Sequence, residues 1–250
     1  MKMKKVFAIV LAAVMALAMI GCGKSSEDIN KKSDGVLTFA EYSEKAADDD
    51  VVIEGYVQAY AYNAEYGNVN MFIQDGDGAY YAYRAVCSED QAKSLKEGVK
   101  VKVTGKKAEW AGEIEIGEGC EFEVEDGSYI ADATDVSDKL GAADVDKYQN
   151  MKVSVKGAVV EASTDGAGEE AAFLYNWDGS GVEGSNCDLY FNVNVNGATY
   201  TFTVESDEVA EGTEVYTAVT GLNVGDTIDL EGFLYWYEGA QLHVSGVTVK

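Results

Sequence analysis

An internal repeat constrains this chain more than any other feature. Val51-Val52-Ile53-Glu54-Gly55-Tyr56-Val57 is matched by Val153-Ser154-Val155-Lys156-Gly157-Ala158-Val159, an offset of 102 residues. Further on, Leu95, Gly98, Val101, Val103, Gly105, Trp110 and Gly112 are matched by Leu222, Gly225, Ile228, Leu230, Gly232, Tyr237 and Gly239, an offset of 127. Two blocks recurring in the same order imply two copies of one folding unit, the second carrying 25 extra residues between its blocks. A length of 250 residues suits two small domains, and 47% hydrophobic residues suffice for a core in each.

Each unit reads as strands. Val51, Ile53, Val57 and Ala59 alternate with Glu54, Tyr56, Gln58 and Tyr60, the period of a half-buried strand. Val69 to Gln74 and Ala79 to Val86 flank Asp75-Gly76-Asp77-Gly78, whose composition predicts a hairpin turn. Ser88 with Gln91 forms a capping box for a short helix closed by Gly98, and Thr38 with Glu41 predicts an earlier helix reaching about Ala47. Val99, Val101 and Val103 make a fourth strand. Ile114 and Ile116 make a fifth, extended through Glu121 to Glu125.

The order β-β-β-α-β-β resembles the OB-fold, a five-stranded Greek-key barrel with a helix between strands three and four. The carriers are the Ile53-Glu54-Gly55-Tyr56-Val57 opening, the Gln74-to-Gly78 hairpin and the Leu95-to-Gly105 block. The fold class expected is all-β with short helices, in two tandem OB-like barrels. The divisions are a signal at 1–21, a polar tether at 22–35, a first barrel with its N-terminal helix at 36–126, an acidic linker at 127–150 and a second barrel at 151–250. The second barrel holds an insertion at about 162–190 in place of the acidic hairpin.

Lys2, Lys4 and Lys5 precede the uncharged apolar stretch Val6 to Ile20, which is too short for a typical membrane span. Gly21-Cys22 follows, and this resembles a bacterial lipoprotein signal in which Cys22 becomes lipidated. The resemblance as a whole is to bacterial extracellular lipoproteins with tandem OB-like modules. It implies a location on the extracellular face of the membrane, anchored by lipid. Of the other cysteines, Cys87 and Cys120 lie in one unit and can pair in an oxidising compartment, while the spacings fit no zinc pattern.

Charge narrows the function. Asp and Glu number 44 against 19 Lys and Arg, a net charge of −25. Arg84 is the one arginine. Nucleic acid binding rests on cations neutralising phosphates, so this chain begins from repulsion. Lys100 and Lys102 are expected to face Glu113 and Glu115 across strands four and five. Asp75 and Asp77 are the candidate calcium ligands, although Val86 stands where an EF-hand loop would place its bidentate Glu. No other cofactor is expected.

OB-folds bind oligonucleotides or oligosaccharides on strands two and three. Tyr56, Tyr60 and Tyr62 on the first strand, Tyr81 and Tyr83 on the third, and Trp177 in the insertion are the candidate ligand-binding residues. Aromatic rings also favour strands and cores for packing alone. With His243 the only histidine, no Ser-His-Asp or Cys-His set is available. The expectation is a non-enzymatic surface module for a glycan, a peptide or a protein partner. The alternative is nucleic acid binding by OB-fold analogy. A third reading is a metal-dependent hydrolase built on Arg84, Asp75 and Asp77.

Overall fold

The structure, a computed structural model, describes residues 29–250. Cys22 and the signal lie outside the described residues. Helix α1 (Phe39–Ser43) precedes strands β1 (Asp50–Asn63), β2 (Asn68–Gln74) and β3 (Ala79–Val86), then helix α2 (Glu89–Ala92), β4 (Val99–Trp110), β5 (Glu113–Ile116) and β6 (Glu121–Ser128). Both capping boxes are complete. The Thr38 and Ser88 hydroxyls accept from the backbone N–H of Glu41 and Gln91, and the Glu41 and Gln91 side chains accept in return from the cap N–H groups. Helix α1 stops at Ser43, one turn short of Ala47.

The sheet runs β1-β2-β3-β5-β4, with β1 pairing β4 to close it and β3 running parallel to β5. This is the OB-fold order. The expected fifth strand divides in two. Gly117 to Cys120 turn the chain, so that β5 pairs with Lys107 to Trp110 of β4 and β6 pairs with Val99 to Thr104 of the same strand. Ile53, Val57, Val69, Met71, Ile73, Val101, Val103 and Ile116 fill the interior.

The second barrel repeats the plan. Its strands are β7 (Thr134–Asp135), β8 (Lys152–Glu161), β9 (Ser163–Thr164), β10 (Glu170–Ala171), β11 (Leu174–Tyr175), β12 (Leu189–Val195), β13 (Ala198–Val204), β14 (Thr227–Trp236) and β15 (Ala240–Val249), with helix α3 (Glu214–Thr220) before β14. The closed ring is β8-β12-β13-β15-β14-β8. Two tandem OB-like barrels are therefore present. The repeat residues hold equivalent places: Leu95 and Leu222 are buried under the two helices' exits, and Gly98 and Gly225 both have positive φ. Gly105 and Gly232 lie where strands cross closely. A Cβ on Gly105 would sit 2.6 Å from that of Cys120, and one on Gly232 would land on the His243 carbonyl oxygen.

The acidic stretch 127–150 joins the barrels, holds a 3-10 turn at Val145–Tyr148 and is packed along its length. Val136, Leu140 and Val145 enter the second core, and β7 pairs with β8. The end of the polar tether is held as well: Lys32 forms a buried ion pair with Asp75 and donates to the Glu54 carbonyl at 2.6 Å. Other expectations are corrected. Cys87 and Cys120 are buried free thiols, with Cys120 Sγ directed to the carbonyls of Tyr83 and Ile116 and Cys87 Sγ to that of Ser88. Lys100 and Lys102 do not oppose Glu113 and Glu115. Because β5 meets only the far end of β4, Ala108 faces Glu115 and Trp110 faces Glu113.

Lys100 instead bridges Glu54 on β1, at 2.8 Å, and Glu125 on β6, at 3.2 Å. Burial alone would raise the Glu54 carboxyl; Lys100 and Ser33 outweigh it and hold it below its usual range. Replacing Lys100 by Met leaves a fully buried carboxylate without its cation. A loss of about 3–5 kcal/mol is expected, read as a lower midpoint in urea unfolding. An unchanged midpoint would contradict this role.

Candidate binding cleft between the barrels

The barrels pack through a seam of aromatic side chains. Phe72 and Tyr81 face each other across β2 and β3, and both point out of the first barrel. Phe233 and Tyr235 of β14 cover them, with Phe72 stacked on Phe233 at 4.5 Å and 10° between planes. Tyr81 meets Tyr235 edge-on at 5.5 Å. The strand two and three face of the first barrel, the usual OB ligand face, is therefore partly spent on joining the barrels.

Polar contacts align the two hairpin ends. The Trp236 N–H donates to Glu113 Oε2 at 2.9 Å, the Glu238 N–H to the Ala111 carbonyl at 2.8 Å and the Lys152 N–H to Gln74 Oε1 at 2.8 Å. Gln149 Nε2 reaches Glu113 Oε2 at 3.1 Å, and Asn150 Nδ2 reaches the Ile114 carbonyl at 3.0 Å. Trp110 and Tyr237, equivalent in the repeat, meet with ring centroids 5.2 Å apart.

Beside this seam lies a cleft of about 500 Å³. Tyr83, Trp110, Tyr237 and Trp177 supply rings, Asn70 and Gln241 supply amides, and Tyr190, Glu205 and His243 complete the lining with Tyr81 and Tyr235. No lysine or arginine is among these residues. Trp177 is 75% exposed and Trp110 is 55% exposed, so both present ring faces to solvent.

His243 is buried at the cleft's inner wall. Its Nδ1 lies 3.3 Å from Glu208 Oε1, its Nε2 lies 3.8 Å from Glu205 Oε1, and its ring is 4.3 Å from that of Tyr235. Burial opposes the imidazolium, but Glu208 and Glu205 hold its pKa above the ordinary value. Burial pushes Glu205 up to about 7 despite His243. Burial likewise pushes Glu113 up to about 8, against its hydrogen-bond donors and His243, and Glu115 up to about 7. Glu205 and Glu208 thus flank His243, and Glu113, which accepts from the Trp236 N–H, also acts on it. Nothing in this set pairs a nucleophile with a base; the cleft offers stacking surfaces and hydrogen-bonding groups.

The six expected aromatic residues do not form one row. Tyr83, Trp177 and the partly covered Tyr81 reach the cleft. Tyr56 is buried against Tyr129 at 5.6 Å. A β-bulge between Val57 and Ala59 then rotates the strand, placing Tyr60 and Tyr62 opposite core residues Met71 and Val69. Tyr60 donates to the Leu95 carbonyl at 3.2 Å. Asp75 and Asp77 do not form a metal loop. Asp75 Oδ1 accepts from the N–H groups of Asp77 and Gly78, Lys32 takes Oδ2, and Asn30 donates to Asp77 at 2.9 Å. Among the described residues no group of three or more His, Cys, Asp or Glu side chains is arranged to hold a metal ion. Arg84 pairs with Glu118 at 3.6 Å and lies over the Tyr83 ring, separate from the Asp75 turn. Trp110, Tyr237, Asn70 and Gln241 are cleft residues that sequence reasoning did not assign. Their one advance signal is that Trp110 and Tyr237 occupy the same repeat position.

No protein-family model matches the chain, and no curated protein matches it. Among solved structures, a murine DNA-binding protein bound with double-stranded DNA is similar with a TM-score of 0.36 and 11% identity, over 80% of this chain and 98% of that one. The Ifi202 HINa domain in complex with 20 bp double-stranded DNA gives 0.35 and 11%, over 81% and 98%. Entamoeba histolytica asparaginyl-tRNA synthetase in complex with asparaginyl-adenylate gives 0.29 and 17%; the match spans 35% of this chain and 23% of that one. Similarities of this size assign no function, and the OB-like assignment rests on the strand order itself.

Proposed function

We propose that this chain is a non-catalytic, lipid-anchored module on the outer side of a bacterial membrane, and that it seats a ligand in the cleft between its barrels. The cleft carries the reading: exposed rings of Trp177 and Trp110 stand beside Asn70, Gln241 and Glu205 around about 500 Å³ of space. Exposed aromatic rings grouped around a concave polar site are a recurring design for recognition. The acidic balance of the chain and a lining without lysine or arginine favour an uncharged ligand over nucleic acid. The anchor rests on Cys22 following the apolar run Val6 to Ile20. Among the described residues no helix is long and apolar enough to cross a membrane.

The test has two parts. A Cys22→Ala variant should move from the membrane fraction to the culture medium; retention in the membrane would refute lipid anchoring. Trp177→Ala should leave the melting temperature within about 1 °C, since the side chain is mostly solvated, yet weaken any ligand found by thermal-shift screening by about tenfold. A ligand whose affinity is untouched by this substitution would place binding elsewhere.

A further inference from the structure

We propose that a second cleft, on the other face of β14, binds an organic cation carrying a primary ammonium group. This site is separate from the cleft of Tyr83 and Trp177 and does not rest on the function proposed above. Tyr235 lines the first cleft and Trp236 the second, because neighbours on a strand point to opposite faces. The second cleft holds about 550 Å³, room for a small organic molecule rather than one bridging water. Phe39, Tyr42 and Trp236 supply its rings, and Gln149 and Asn150 its amides. The Trp236 ring rests on Gly112, where a Cβ would come within 2.6 Å of Cδ1.

A group of unmet polar atoms points to a ligand here. Among the described residues, five buried side-chain atoms have no hydrogen-bond partner in the protein. Three of them, Tyr42 Oη, Glu113 Oε1 and Asn150 Oδ1, belong to residues at this part of the seam. Tyr42 and Asn150 line the cleft, and each is 3% exposed. Glu113 is fully buried, its Oε2 held by Gln149 Nε2 and the Trp236 N–H, both from residues that line the cleft. Asn150 Nδ2 is spent on the carbonyl of Ile114, the residue next to Glu113. Burial raises the Tyr42 hydroxyl above its usual range, and Glu113 is the first charge to add to that. An unmet buried polar atom is costly, and three of them beside one cleft are accounted for by a molecule that brings donors.

The chemistry of these atoms selects the ligand class. Asn150 Oδ1 and an ionised Glu113 only accept, and the Tyr42 hydroxyl has lone pairs to offer. A primary ammonium brings three N–H donors and a positive charge, and an anion would bring acceptors to acceptors. The lysines of the lining do not compete. Lys107 Nζ closes the end of α1, donating to the carbonyls of Tyr42, Ser43 and Lys45 at 3.1, 3.1 and 2.8 Å, and Lys147 pairs with Asp144. Lys107 already lies over the Tyr42 ring at 5.0 Å, so Trp236 and Phe39 are the rings left to face a cation. Asp146 adds an exposed carboxylate to the lining. A metal ion is disfavoured, because among the described residues no three His, Cys, Asp or Glu side chains gather to hold one. Glu113 must ionise to meet the cation. Burial pushes its carboxyl up to about 8 and Glu115 adds to this, while Asn150, the Trp236 N–H and His243 oppose it; the phenols of Tyr42, Tyr81 and Tyr235 face it from other elements. Below that pH, binding releases a proton.

Calorimetric titration of the full chain tests this, with benzylammonium, tetramethylammonium, benzyl alcohol, benzoate and calcium chloride as probes. Benzylammonium should bind about tenfold more tightly than benzyl alcohol, which lacks the charge, and than tetramethylammonium, which lacks the donors; benzoate should not bind. Its affinity should rise by up to about tenfold per pH unit from about pH 5 to about pH 8 and then level. Glu113→Gln should weaken binding about tenfold and flatten that pH profile. Tyr42→Phe should weaken it about threefold without lowering the melting temperature of the free protein, since the hydroxyl it removes has no partner. Trp177→Ala should change neither affinity nor pH profile. No binding of benzylammonium, equal binding of benzyl alcohol, or indifference to both Glu113→Gln and Tyr42→Phe overturns the proposal and leaves the unmet atoms to water alone. Displacement of benzylammonium by calcium overturns it in favour of a metal ion, and loss of binding in Trp177→Ala overturns it by moving the ammonium to the first cleft.

Discussion

Raising the pH from about 5 to about 9 should lower the melting temperature of this protein by roughly 10 °C or more. Glu113, Glu115 and Glu205 are acids whose folded pKa values are raised, to about 8, 7 and 7, from 4.5. An acid of this kind stabilises fully below its unfolded pKa, and that stability drains as pH climbs through the folded value. The raised His243 acts in the same direction, contributing below about 6.5 and losing its contribution above it. One pKa unit corresponds to about 1.4 kcal/mol, so Glu113 alone carries on the order of 5 kcal/mol between pH 4.5 and 8. Glu205 and His243 line the cleft and Glu113 accepts from the Trp236 N–H of the other barrel, so raising the pH leaves buried carboxylates and a neutral imidazole at this contact, with no lysine or arginine in the cleft lining. Glu113→Gln keeps acceptor capacity toward the Trp236 N–H and removes the ionisation. Its melting temperature at pH 9 should exceed the parent's by several degrees and its pH profile should be flatter. A parent profile that is level or rising over this range would refute the assignment.

Phe233→Ala should cost about 3–5 kcal/mol and separate the unfolding of the barrels into two calorimetric transitions. Phe233 is 2% exposed, stacks on Phe72 and covers the face made by Phe72 and Tyr81. Removing the ring opens a cavity at the contact while leaving each barrel's own core, centred on Ile53 and Met71 or on Phe191 and Leu230, intact. The Phe72→Ala partner and the double variant should show a coupling of about 0.5–1.5 kcal/mol. A single transition with strictly additive losses would mean that the barrels are joined elsewhere.

Local signals in the chain were reliable guides. The Thr38/Glu41 and Ser88/Gln91 capping boxes form as read because their partners are three residues apart and need no tertiary contact. The repeat was equally legible: glycines at 98 and 225 meet the same backbone demand, and those at 105 and 232 sit at the same close crossing. The candidate site was legible only in part. Tyr83 and Trp177 were identified, but the row of Tyr56, Tyr60 and Tyr62 was broken by a one-residue bulge, since a strand's period of two sends every later side chain to the other face. Lys100 found Glu54 and Glu125 instead of Glu113 because β5 meets only the far end of β4, while β1 and β6 flank Lys100 on either side.

The chain by itself determined that two like β units would form, where their short helices would start, and that the surface would be strongly acidic. These follow from spacing, capping and composition, all of which act over a few residues or by simple addition of charge. Only the tertiary structure decided that Phe72 and Tyr81 would be covered by Phe233 and Tyr235, and that His243 would lie between Glu205 and Glu208. It likewise decided that Trp110, Trp177 and Tyr237 would share one cleft. Such contacts depend on how two finished barrels present their faces to one another, and no short-range pattern along the chain encodes that geometry.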